Sequence, residues 1–105
     1  MANAEDLRRL ALALPGVREY SHFDRRAFRA RVTFVTLAAD GLTANFKFAP
    51  DEQALKTTVA PEAFSALSNA WGAKGWTVGR LEALSEAELE AALRMAYSHG
   101  SGKRR

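Results

Sequence analysis

Twice between Ala27 and Phe48 the apolar side chains recur at every second position, and Asp40-Gly41 parts the two runs. Phe28, Ala30, Val32 and Phe34 alternate with Arg29, Arg31 and Thr33 in the first run, and Leu42, Ala44, Phe46 and Phe48 keep the same period in the second. A period of two belongs to a pleated strand with one side buried, and Asp-Gly is a strong signal for a tight hairpin. The chain is therefore bound to antiparallel strands, with helices packed on one face of the sheet. A single strand from Arg25 to Ala38 would be long, so a turn is expected inside it, at Arg31-Val32, although no glycine marks the place.

Helical periods flank these strands. Asn3 can cap a helix whose third position is Asp6, and Leu7, Leu10, Ala11 and Leu14 then form its apolar stripe. Pro15-Gly16 ends it. Pro50 followed by Asp51 and Glu52 starts a second helix, with Leu55 and Val59 expected to face inward, and Pro61 interrupts it. Glu62–Leu67 is expected to add a short turn of helix that buries Phe64 and Leu67. Residues 75–81 return to a strand pattern, with Trp76, Val78 and Arg80 on one side and Trp76 expected in the core. In the last helix Ser85 and Glu88 form a capping box, Leu84 and Leu89 a hydrophobic staple, and Leu89, Ala92, Leu93, Ala96 and Tyr97 the buried stripe, with Gly100 as its terminating glycine. The expected fold class is α+β, in the order α-β-β-β-α-β-α.

With 105 residues, 48% of them hydrophobic, the chain suffices for one core and not for two domains. The absence of cysteine excludes disulfides and thiolate metal sites, and no apolar run approaches the roughly 20 residues of a membrane span. Glu5, Asp6, Arg8 and Arg9 interrupt the first apolar stretch, unlike the core of a secretory signal, so a cytoplasmic location is expected. The net charge of +3 resides in Lys103, Arg104 and Arg105, because the preceding residues hold 12 basic and 12 acidic side chains. A domain over 1–99 and a short basic, disordered tail over 100–105 are the expected divisions. Within the body, residues 18–47 are locally basic, with Arg18, Arg25, Arg26, Arg29, Arg31 and Lys47 against Glu19, Asp24 and Asp40.

Leu14-Pro15-Gly16-Val17 after a first helix, His22-Phe23 with Phe28, the run Val32-Thr33-Phe34-Val35-Thr36-Leu37, Phe46-Lys47-Phe48, and Gly75-Trp76-Thr77 before the last helix follow one another at a characteristic spacing. In that order they resemble the MmcQ/YjbR family of small bacterial proteins, over residues 3–99. The family is similar in fold to frataxin-like (CyaY-like) domains, and the resemblance implies DNA binding through a double-wing arrangement of strands, with no established reaction or ligand. Many members place a Gly-Lys turn where this chain has Arg31-Val32-Thr33, so a wing tip built there would differ.

The residues themselves offer two binding surfaces. Arg25, Arg26, Arg29 and Arg31, with Lys47 on a neighbouring strand and Lys74 and Arg80 extending the surface, could meet successive phosphates, Arg29 and Arg31 projecting from one side of a strand opposite Phe28 and Ala30. The same arginines could simply keep a solvated edge from pairing. Trp71 and Trp76, flanking Gly72, Lys74 and Gly75, offer stacking surfaces for unpaired bases or a planar ligand, so a protein-interaction or small-ligand module built on the 71–76 loop is the alternative to DNA. Catalysis is not expected. Ser21, His22 and Asp24 are too close in one extended segment to converge as a triad, His22 and His99 are the only histidines, and no glycine pattern matches a phosphate or dinucleotide loop. Neither a metal nor a cofactor is expected, and the mixed charges of the first helix do not make the acidic ridge that iron binding would need.

Overall fold

The computed structural model describes residues 1–101. Helix α1 (Ala4–Leu12) leads into four strands, β1 (Arg18–His22), β2 (Arg25–Arg29), β3 (Thr33–Leu37) and β4 (Thr43–Lys47). Then follow α2 (Pro50–Val59), β5 (Phe64–Ala66), the single turn α3 (Ala70–Ala73), β6 (Trp76–Arg80), a 3₁₀ turn at Leu81–Ala83 and α4 (Glu86–Gly100). The six strands form one sheet in the order β1-β2-β3-β4-β6-β5, with every neighbouring pair antiparallel. This is the expected α+β class with two strands added, and both additions are edges. β1 carries no alternating apolar signal because its residues are exposed or half-buried, and β5, three residues long, replaces the helical turn expected at 62–67.

Local chemistry explains the element ends. Asn3 and Asp6 exchange side-chain and backbone hydrogen bonds at the start of α1, as Ser85 and Glu88 do at the start of α4, and Leu84 and Leu89 are both buried beside the second box. Gly41 at φ 75° and the Asp40 carboxylate, which accepts from the Leu42 amide at 2.9 Å, close the β3–β4 hairpin. The β2–β3 turn falls at 30–32, where the Arg31 and Val32 amides both donate to the Gly100 carbonyl.

That last contact corrects the role expected of Gly100. It is not a left-handed cap but the final residue of α4, buried, and a Cβ there would lie 2.6 Å from the Cβ of Phe34. The expected tail therefore cannot start at Gly100, and its basic residues lie outside the described ones.

Phe28, Phe34, Val35 and Phe46 from the sheet meet Leu7 of α1 and Leu89 and Leu93 of α4 in the core, all at most 1% exposed. A bulge at Phe28/Arg29 lets Phe34 and Val35 both reach this side. Leu55 and Val59 do not face inward as expected; they are 58% and 73% exposed. The half-buried stripe of α2 is instead Glu52, Gln53, Lys56, Thr57 and Ala60, which follows helical spacing equally well. Its contacts are mixed: Gln53 Nε2 donates to the carbonyls of Gly72 and Trp76, Glu52 meets His99 at 2.8 Å, Lys56 lies over the Phe64 ring and Ala60 packs on the core.

Candidate nucleic-acid interface

Strand alternation divides the charged residues between the two sides of the sheet. On the helix side, Glu19 of β1 accepts from Arg8 of α1 at 2.8 Å and from Arg26 of β2 at 2.9 Å, with only 11% of its side chain exposed. The hydrogen bond from Arg8, with help from Arg26, outweighs the effect of burial and holds the Glu19 carboxyl below its ordinary range. Arg26 is thus on the wrong side for the expected cationic row, because it is one residue out of phase with Arg25.

On the opposite side, cross-strand neighbours run from Tyr20 through Ala27, Thr36, Asn45 and Val78 to Ser65. Two rows flank this line. One pairs Arg18 with Arg29 and Lys47 with Trp76; the other pairs His22 with Arg25 and Thr43 with Arg80. None of the strand residues on this side is aspartate or glutamate.

The cations are held in different ways. Arg25 is half-buried, its Nε donating to the Thr36 hydroxyl at 2.9 Å and its Nη2 to the Thr36 carbonyl at 3.3 Å. Arg29 Nη2 donates to the Arg31 carbonyl at 2.8 Å, and Lys47 Nζ lies 5.6 Å from the centre of the Trp76 ring. Arg80 is neutralised by Glu82 at 2.9 Å. Arg18, Arg25, Arg29 and Lys47 form no ion pair among the described residues. Arg18 and Arg29, like charges at directly opposed positions, disfavour the pairing of β1 with β2 unless an anion lies between them. The sequence does not single out Arg18 as a site residue, because the polar segment around it has no strand pattern.

The remaining candidates fall in two places, Arg31 beside Arg18 and Arg29, and Lys74 with Trp71 and Trp76 next to Lys47. Arg31 belongs to the turn and not to a strand, yet it lines one depression with Arg18 and Arg29, beside Gly16 and Ala30. Lys74 follows α3 and lies 4.9 Å over the Trp71 ring. Trp76 is half-buried on the open side and not in the core, because the helix-facing side of β6 is already filled: a Cβ on Gly79 would meet Phe46 Cε1 at 2.7 Å. Trp71, 55% exposed, meets Trp76 edge to face at 6.5 Å. Gly75, at φ 111°, brings this loop against the Phe48 carbonyl, where any Cβ would stand 2.0 Å away. Ser21 and His22 alternate to opposite sides of β1, and the Ser21 hydroxyl accepts from Arg26. Among the described residues no group of three or more histidine, aspartate or glutamate side chains could hold a metal, and no helix is long and apolar enough to cross a membrane.

The fold and this surface together define a class: an antiparallel sheet backed by helices on one side and left cationic and open on the other. The model of the YjbR family matches residues 12–99, and the chain belongs to the YjbR family. Its fold is also that of the Deinococcus radiodurans protein DR2400, a protein with a DUF419 domain, whose crystal structure is similar with a TM-score of 0.82 and 19% identity over 98% of this chain and 81% of that one. None of the curated proteins matches this chain.

Proposed function

We propose that the chain is a binding domain for nucleic acid, single-stranded DNA in the first place, and that it works without catalysis. The observation that carries this reading is the segregation of charge: Arg18, Arg25, Arg29 and Lys47 project from a strand surface without carboxylates, while Glu19 is drawn to the helix side. Cations so placed can contact phosphates, and Tyr20, His22 and Trp76 supply aromatic rings among them for bases to stack on. A broad sheet surface suits a single strand better than a duplex, whose major groove admits a helix or a two-stranded ribbon.

Four unpaired cations set the expected strength of the effect. For a single strand they give a slope of log K against log salt of about −3, so affinity should fall about 50-fold between 50 and 200 mM salt. Fluorescence anisotropy with labelled single strands and duplexes over a salt series tests this, using the full chain and a chain ending at Ser101. Salt-dependent binding that favours the single strand and survives removal of the tail is expected. Binding that disappears with the tail would refute the assignment to the sheet.

The exposed ring of Trp71, set against Trp76, favours a second reading, a module for a small planar ligand. Such a ligand would raise the melting temperature independently of salt.

A further inference from the structure

The β1–β2 hairpin ends in a two-residue loop, Phe23-Asp24, between the paired residues His22 and Arg25. Phe23 has φ 59°, the only positive φ at a described residue other than glycine. The first position of such a loop is ordinarily glycine, because a Cβ is crowded in the left-handed region. Phe23 is also 94% exposed. Neither the backbone conformation nor burial of the ring explains a phenylalanine here, since a glycine would relieve the first and the second is absent.

The surroundings point to what the ring contacts. The His22 ring stands 4.9 Å from that of Phe23, edge to face, and the Tyr20 ring 6.3 Å from that of His22. An aromatic line thus runs along the edge strand from the open surface to its tip. Arg25 is paired across from His22, and the Arg18–Arg29 pair lies at the other end of the same two strands. An apolar ring held out in water at the end of a cationic surface complements a ligand that joins flat apolar faces to anionic groups, and an unstacked nucleotide has both.

We propose that Phe23 stacks on an unpaired nucleobase of a single strand whose phosphates lie along the cations of the open sheet; this rests on the nucleic-acid reading above. The exposed ring is then covered in the complex, and the turn holds it at the tip of the edge strand. Tyr20 and His22 continue the stacking line towards the Ala27–Thr36 row.

The test is fluorescence anisotropy of a labelled single-stranded oligothymidylate with the full chain, Phe23→Gly and Phe23→Trp, together with the melting temperature of each protein. Loss of one stacked base should weaken Phe23→Gly between about fivefold and 150-fold. Its salt slope should not change, since no charge is removed. Its melting temperature should equal or exceed that of the parent, because glycine accepts this φ. Phe23→Trp, which keeps a ring, should retain the affinity. Undiminished binding by Phe23→Gly, or weaker binding accompanied by a lower melting temperature, would overturn the stacking role while leaving the open surface as the interface. A parent chain that binds no oligonucleotide at low salt would overturn both.

Discussion

Gly100→Ala should destabilise the protein even though it replaces the poorest ordinary helix former by the best one. Alanine inside a helix gains about 1 kcal/mol over glycine, and less at a last turn. Against this, the new Cβ would stand 2.6 Å from Phe34 Cβ and 2.9 and 3.0 Å from two of its ring carbons. Carbon atoms attract best at about 3.5–4.0 Å, so the end of α4 must withdraw by about 1 Å or Phe34 must leave its site. Phe34 is fully buried and meets Tyr97 edge to face at 5.6 Å, which leaves it little room, and overpacking of this kind costs about 1–3 kcal/mol. Withdrawal also stretches the hydrogen bonds from the Arg31 and Val32 amides to the Gly100 carbonyl, at 2.9 and 3.0 Å, each worth about 1 kcal/mol net. The balance is a loss of about 2 kcal/mol, or about 1 M in the midpoint of urea unfolding. Circular dichroism across a urea series measures it. A variant as stable as the parent would refute the reasoning that packing on Phe34, and not helix termination, accounts for this glycine. Because the same carbonyl fixes the turn that receives the Arg29 hydrogen bond, the variant should also bind oligonucleotide more weakly.

Three further outcomes are expected. Because the native pKa of Glu19 is depressed, its contribution to stability is fully present above the ordinary value of 4.5 and is lost as pH falls through the native pKa; urea midpoints measured from pH 7 downward should therefore decline less steeply in acid for Glu19→Gln than for the parent. Phe46→Ala should cost about 3–5 kcal/mol and Leu55→Ser less than about 0.5 kcal/mol by urea unfolding, since the first side chain is fully buried and the second lies on the exposed flank of α2. Trp76→Ala should lower affinity for a single strand by about 1–3 kcal/mol in the anisotropy assay while the slope against salt stays that of the parent, because it removes a ring and no charge.

The sheet was legible where burial is one-sided. Phe28, Ala44 and Phe46 announce β2 and β4 because their neighbours in sequence face the open side, and Asp40-Gly41 marks a turn whose geometry demands those residues. The capping boxes at Asn3 and Ser85 are local and could be read directly. What escaped depends on neighbours distant in sequence. β1 is polar on both sides because it is an edge, so neither the strand nor Arg18 could be recognised from its pattern. Trp76 is excluded from the core by Phe46 lying over Gly79, and Leu55 loses its inward place to Gln53, whose amide serves two carbonyls of the 71–76 loop. Of the cationic row, Arg25, Arg29, Lys47 and Arg80 do share one side, whereas Arg26 is taken by Glu19. A count of arginines cannot reveal that division, since it follows from register.

Because an interface on the open sheet depends on which side the charge occupies, the most direct measurement compares two double variants with the same net charge. Arg25→Ala/Arg29→Ala removes two cations from the open side. Arg9→Ala/Arg94→Ala removes two from the helices, where exposed ion pairs with Asp6, Glu86 and Glu90 contribute little to stability. Anisotropy with one labelled single strand over a salt series should show the first pair losing affinity and about 1.4 of its slope, and the second pair matching the parent. Equal losses in both would mean attraction to net charge alone and would contradict an interface on the open sheet.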